Sequence, residues 1–334
     1  MRYKIRDLLL GVVLGLIVPT IICSVFARKV KRVESSTEST SIGFVQKPVE
    51  ATKPKKDLQN QMEMIPVLLD DGRISDMLLD DYLISVILCE MPTSFEIEAL
   101  KAQAVVARTY VLRQNLVRHK HNNAAVCTKS SCCQGYRKVD SFLEGGGNIQ
   151  DLQKVRQAVA ETQNFVLMYD GVLIDATYFS CSGGKTEDAV SVWGSDIPYL
   201  QSVDSPGEEI AAVFVDTVVL SKEKFSEQLQ LDVADVNGGS IGEITYTDGG
   251  GVDTIVICGR SYKGTELRSL LGLRSTAFVI SIVDDTVSVT TKGYGHRVGM
   301  SQYGAEAMAR RGNNYDAILL HYYQGANLVN WVPR

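Results

Sequence analysis

Apolar positions recur along this chain with changing period. The first block is unbroken: Leu8 to Ala27, LLLGVVLGLIVPTIICSVFA, runs 20 residues without a charge. At about 1.5 Å per residue, a helix of that length crosses the roughly 30 Å hydrocarbon core of a bilayer. Pro19 and the two glycines are compatible with such a helix. The pattern predicts a transmembrane anchor at 8–27 behind a cytoplasmic tail at 1–7. A cleaved signal peptide is the other reading. Val25 and Ala27 suit a small-residue cleavage site, but the stretch exceeds the usual length of about 7–15 residues. Ile22 is too bulky for lipid attachment at Cys23. Basic residues flank both ends, and the charge rule slightly favours the opposite orientation. The very short N-terminal tail instead favours a large domain outside. Residues 28–63 then lose apolar periodicity and become rich in Ser, Thr, Lys and Glu, with Pro48 and Pro54. Such a segment buries too little surface to offset its ordering entropy and reads as a disordered linker.

Beyond Met64 the periods of helix and strand alternate. Ile65 to Leu69 reads as a strand ended by Asp70-Asp71-Gly72. Leu78 to Leu88 reads as a helix that stops before Met91-Pro92, because proline disfavours helical geometry in the preceding residue. Thr93 or Ser94 is the expected cap of a second helix, EIEALKAQAVVARTYVLRQNLV, with Glu96 and Glu98 in its first turn. Gln153 to Ala160 reads as a further helix. Phe165 to Tyr169 and Val172 to Tyr178 read as a hairpin around Asp170-Gly171. From about Ile210 to Leu273 the composition shifts. Helices at 221–231 and 264–273 bracket strands at 241–246 and 254–257, which suggests a smaller inserted α/β subdomain. Strands at 278–283 and 286–290 follow, and a helix starts at Ala305. Helices and antiparallel hairpins in this order predict an α+β domain over 64–334.

Composition narrows the function classes. The net charge of −5 on 334 residues argues against a broad nucleic-acid-binding surface. Seven cysteines are too few for a disulfide-built scaffold, and an odd number cannot all pair internally. Their placement is more telling. In HKHNNAAVCTKSSCCQGY, His121, Cys127 and Cys133 are spaced by six, with Cys132 adjacent and His119 nearby. Imidazole and thiolate are the normal ligand set of tetrahedral zinc, and a cysteine-rich set on short loops suits a structural site. A disulfide is the alternative. Cys258 is expected in a strand of the core.

Three stretches carry candidate chemistry. Glu90 sits at the break between two apolar helices, where partial burial would tune a carboxyl for proton transfer. It could equally be a cap, or a partner of Lys101 or Arg108, which share one helix face. The segment FSCSGGKTEDA places Ser182, Gly183 and Gly184 after Tyr178, a polar loop able to bind a phosphate or a sugar, or to be an ordinary turn. It has neither the spacing of a nucleotide-binding P-loop nor a nucleophile elbow. Finally, GYGHRVGMSQYGAEAMARRG offers His296, Gln302 and Tyr303 among glycines. His296 alone could be structural.

Taken in order, CEMPTSFEIEALKAQAVVARTY, SCSGGKTED and GYGHRVGMSQYGAEAMA make the chain resemble the stage II sporulation protein D family, cell-wall lytic transglycosylases of endospore-forming bacteria. The resemblance extends from about residue 64 to the C-terminus and includes the anchor and linker. It implies cleavage of the bond between N-acetylmuramic acid and N-acetylglucosamine in glycan strands stripped of peptide, leaving 1,6-anhydro ends. Glu90 would be the general acid/base. Lys101 and Arg108 would position it, and Tyr178, Ser182, Gly183, Gly184, His296, Gln302 and Tyr303 would line the groove. His121, Cys127 and Cys133 match the zinc pattern of clostridial members, with Cys132, His119 or water as fourth ligand. The implied place is the mother-cell membrane, with the catalytic domain extracytoplasmic and facing the forespore during engulfment. The implied partners are a sporulation amidase (stage II protein P) and a membrane scaffold (stage II protein M). A non-catalytic wall-binding or amidase-enhancer module is the competing reading. A zinc hydrolase is weaker, since no HExxH-like helix occurs.

Overall fold

The computed structural model describes residues 63–116, 121 and 123–331. The expected anchor at 8–27, the linker and His119 lie outside the described residues. Among those described, no helix is long and apolar enough to cross a membrane.

One core is organised around the helix Ile97–Leu116. Ala99, Ala102, Ala104 and Ala107 lie wholly inside it, and these small side chains let four other helices and three short strands approach closely. The helix Leu79–Glu90 packs against it and is buried almost all round, from Tyr82 to Leu88. It ends as the sequence requires: Met91 is extended (φ −125°, ψ 143°) ahead of Pro92. The expected cap of the next helix is different. Neither Thr93 nor Ser94 serves; the Glu96 amide instead donates to the carboxylate of the buried Glu306, 2.6 Å away and 210 residues on in sequence. Short sheets close the sides. Met64–Leu68 pairs antiparallel with Ile74–Leu78 and parallel with Val126–Cys127, and Phe165–Tyr169 lies between Val172–Leu173 and Asn327–Asn330.

Asp170 and Gly171 both take positive φ in the predicted hairpin turn. The second strand is shorter than expected, however. It leaves the sheet after Leu173, where the Asp175 amide is taken by the Tyr199 hydroxyl at 3.0 Å. The chain resumes as Tyr178–Phe179 and pairs in parallel with Met300–Ser301. That two-residue bridge brings the two glycine-rich stretches together.

The inserted block has its own core, built from Phe225, Leu229, Ile255, Ile257 and Leu267. Its expected end at Leu273 is too early. Phe278, Ile282, Val287 and Val289 belong to the same core, and Val215–Ser221 pairs with Thr286–Lys292. A boundary at 273 would cut that sheet between its strands. Cys258 is likewise not a core strand residue: with φ +48° it forms the turn with Gly259 between Val252–Ile257 and Arg260–Lys263.

Candidate functional site

Glu90 is the last residue of its helix, so its side chain leaves the core at an exposed edge. It opens into a groove of about 620 Å³, also lined by Cys89, Tyr110, Cys133, Gln134, Tyr178 and His296. Of the lining residues, Glu90 is the one carboxylate. The Gly135 amide donates a short hydrogen bond to Glu90 Oε1. Only glycine permits that approach: a Cβ at 135 would lie 2.8 Å from Cys89 Sγ and 2.9 Å from Glu90 Oε1.

The wall around this carboxylate carries unspent polar atoms. Gln134 Nε2 and Gln302 Nε2 are buried and make no hydrogen bond within the described protein. The Tyr178 hydroxyl lies beside Glu90 and Gln134 without a well-formed bond to either. Buried polar groups are normally satisfied, so three such atoms around one groove mark surface built to meet a ligand. Burial, then the charge of Glu90, holds the Tyr178 phenol well above its usual range and keeps it a donor.

His296 also lines the groove. Its Nδ1 accepts from the Val298 amide at 3.2 Å, which leaves the proton on Nε2. Phe179 and Trp193 pack on the ring, with centroids 5.6 and 5.3 Å away. Burial and then the Arg268 charge lower its pKa to about 4, so the ring is neutral at neutral pH.

Other predicted groove residues have different partners. Lys101 pairs with Glu98 at 2.7 Å and Glu161 at 2.6 Å. Arg108 is 2% exposed, donates to the carbonyls of Thr162 (2.7 Å) and Val159 (3.2 Å), and approaches Asp80 at 3.6 Å. Neither lines the groove, and neither pairs with Glu90. Helical periodicity gives the reason. Tyr110, which does line it, is two residues from Arg108, or about 200° around the helix. Assigning Lys101 and Arg108 to the site is therefore corrected: they knit the helix to its neighbours.

Ser182, Gly183 and Gly184 are corrected in the same way. The buried Glu208 accepts from the Ser182 amide (2.6 Å) and hydroxyl (2.9 Å), the Gly183 amide (3.0 Å) and the Ser205 hydroxyl (2.6 Å). Gly184 donates to Ser182 Oγ at 3.0 Å. The loop is spent on an internal carboxylate. Tyr303 packs edge-on against Phe95 at 5.0 Å and does not itself line the groove. Burial and then Glu208 push the Cys181 thiol up.

Sequence reading missed this carboxylate and a second buried pair. Arg297 Nη1 meets Glu187 Oε1 at 3.1 Å, while its other nitrogens donate to the carbonyls of Ser182 (2.7 Å), Lys185 (2.8 Å) and Gly249 (2.7 Å). Glu187 also accepts from Thr247 and Gly251 of the inserted block. Glu187 and Arg297 sit inside the two motifs already singled out. Glu208 lies in SPGEE, which carries no signal.

Beside the groove, the ligand atoms of His121, Cys127, Cys132 and Cys133 all lie within 4.8 Å of one another. His121 Nε2 is 3.3 Å from Cys133 Sγ and 3.7 Å from Cys132 Sγ. Zn–S and Zn–N bonds of about 2.3 and 2.0–2.1 Å in a tetrahedron need ligand separations of roughly 3.5–3.8 Å, so this set can hold such an ion. Burial pushes the Cys127 thiol up to about 11. No disulfide joins any two of the six described cysteines.

A family profile described as stage II sporulation protein matches residues 71–169, the span that holds Glu90 and the histidine–cysteine cluster. Stage II sporulation protein D of Bacillus subtilis (strain 168) is 37% identical over 323 residues, covering 94% of this chain and 92% of that protein. Its counterpart in Bacillus amyloliquefaciens is 39% identical over 255 residues, 75% of this chain and 74% of its own length. An amidase enhancer of Bacillus subtilis (strain 168) is 29% identical over 295 residues, 72% of this chain but 39% of that protein. The extent of the first two matches places this chain in the stage II sporulation protein D family, a family of sporulation proteins.

Proposed function

We propose that the chain is a lytic transglycosylase acting on peptide-stripped glycan strands, with Glu90 as general acid and base. The observation that carries this reading is the lone carboxylate of the groove. Ordinary glycosidases need two carboxyl groups, one as nucleophile or as base for water. A lytic transglycosylase uses the sugar's own C6 hydroxyl, so one suffices. Glu90 in its acid form donates its proton to the leaving glycosidic oxygen as the C1–O bond breaks. The carboxylate then takes the C6 hydroxyl proton while O6 bonds to C1, which closes the 1,6-anhydro ring and restores the acid. The Gly135 amide holds Oε1 in place. Tyr178, Gln134 and Gln302 offer the hydrogen bonds that orient the sugar.

In this reading His121, Cys127, Cys132 and Cys133 hold a structural Zn²⁺ that fixes the loop carrying Gln134 and Gly135. The membrane anchor, the position facing the forespore, and association with the sporulation amidase and membrane scaffold belong to the same proposal. The amidase enhancer among the relatives supports a second reading, a wall-binding module without catalysis. One experiment separates the two. Peptide-free strands are digested with the protein and with Glu90→Gln, and anhydro-muramic ends are counted by mass spectrometry. Cleavage requires ends from the first and at least about 10²-fold fewer from the second. Ends at equal rates would remove Glu90 from the role, and none from folded protein would favour the binding module.

A further inference from the structure

The groove carries an aromatic edge that the reaction above does not use. Three aromatic side chains are exposed among the described residues, Trp193, Tyr246 and Tyr294, at 44, 59 and 46%. Two of the three stand at His296. Tyr294 lines the groove together with Glu90 and His296. Trp193 packs on the His296 ring, with centroids 5.3 Å apart, and lines an adjoining cavity of about 270 Å³. One apolar ring left in water needs no explanation, but two beside the same groove mark a contact surface. Both are held in place before any ligand arrives. The Tyr294 amide donates to the Cys181 carbonyl at 2.7 Å, and the Cys181 amide donates back to the Tyr294 carbonyl at 3.1 Å. The Arg274 guanidinium backs the Tyr294 ring, 5.6 Å from its centroid, and is itself fixed by Asp216 at 3.1 Å. Trp193 ends the short helix Ala189–Trp193, which is capped by Asp188 at one end and by Gly194 (φ 73°) at the other.

We propose that Tyr294 and Trp193 are stacking platforms for sugar rings that flank the cleaved unit, so that the site binds an extended N-acetylhexosamine strand rather than a lone disaccharide. The choice of ligand rests on the glycan-cleaving reading. A pyranose ring presents C–H groups on its faces and hydroxyls around its rim. Its face packs on an aromatic ring, while its rim needs hydrogen-bond partners. Tyr294 and Trp193 supply the faces. Asp253, Lys263 and Thr265 of the inserted block line the same cavity as Trp193 and supply partners for the rim. A platform that is rigid beforehand loses little freedom on binding, so its contact appears as affinity. Glu90 and its polar neighbours orient the unit that reacts, and the two rings hold the strand on either side of His296.

The test uses full-length Glu90→Gln protein in detergent, so that binding is measured without turnover. Its probes are N-acetylglucosamine oligomers from the disaccharide to the hexasaccharide, and peptide-free glycan strands. Trp193 and Trp331 are the only tryptophans of the chain, so indole fluorescence reads the site directly. Long oligomers should move the emission to shorter wavelength and shield it from acrylamide, a signal kept in Trp331→Phe and lost in Trp193→Phe. Affinity should rise from disaccharide to hexasaccharide. Adding Tyr294→Ala should weaken binding of the hexasaccharide and the strands by roughly threefold to tenfold, while Tyr294→Phe should bind as the parent does. If the Ala variant melts early, Tyr294→Leu, which keeps bulk without an aromatic face, carries the test. Affinity independent of length in the parent, Trp193 emission unmoved at saturation, or undiminished hexasaccharide binding by folded Tyr294→Ala protein would overturn the proposal. Folded parent that binds no glycan of any length would remove the glycan-cleaving reading and this proposal with it. Anhydro-end formation by the unsubstituted protein is scored separately, so failure of cleavage and failure of the platforms are told apart.

Discussion

Single residues set the chemistry of the groove. Gly135 is confined by its neighbours, since a side chain there would displace Cys89 Sγ and Glu90 Oε1. Gly135→Ala should leave the fold intact and lower anhydro-end formation by about 10²-fold, the scale expected for a misplaced reacting group, with little change in the thermal midpoint. His296 gives a prediction in stability. Its folded pKa of about 4 lies below the ordinary 6.5, so the unfolded chain binds the extra proton first as pH falls. Stability should therefore be full above pH 6.5 and decline toward pH 4, by at most about 3 kcal/mol, and His296→Gln should flatten that slope in urea titrations. A histidine resonance titrating near 6.5 in the folded protein and assigned to residue 296 would contradict this.

At the scale of elements, the motifs were legible and the roles of their residues only partly so. The helices, the Asp170-Gly171 turn and the break before Pro92 followed from periodicity and backbone sterics, which are local. The histidine–cysteine cluster could be read because it lies within one short stretch, whereas Glu90 stood out only as a carboxylate at a helix break and took its expected role from the family resemblance. The partners of Ser182, Glu96 and Arg297 could not. They come from Glu208, Glu306 and Glu187, and in each case the meeting depends on how distant segments pack. Arg108 shows the cost of reading a face without its neighbours: the same periodicity that pairs it with Lys101 also turns it away from Tyr110 and the groove. Arg108→Met should destabilise the protein by about 2–4 kcal/mol, seen as a lower urea midpoint, because the carbonyls of Thr162 and Val159 lose their donor. The kcat of the folded fraction should be unchanged; a selective rise in KM would instead restore Arg108 to the site.

At the scale of the whole molecule, two cores meet around the motif loops, and the groove is closed by pieces from both ends of the described chain. The cluster of His121, Cys127, Cys132 and Cys133 ties one edge of it to the Met64–Leu68 sheet. On the proposed zinc reading, treatment with a chelator, or Cys127→Ser, should lower the thermal midpoint by several degrees and loosen the loop at Gln134, read by hydrogen exchange. Unchanged exchange on chelation would rule out that structural role. The parallel bridge of Tyr178–Phe179 to Met300–Ser301 has a consequence in time. It joins strands separated by the entire inserted block, and such a contact bears a large loop-closure entropy until the intervening chain is compact. The block should therefore fold before the bridge forms, and the groove should be the last part of the protein to exist. A chain still folding would then carry its carboxylate for some time with no cleft around it, and would complete the groove only once its second core had set.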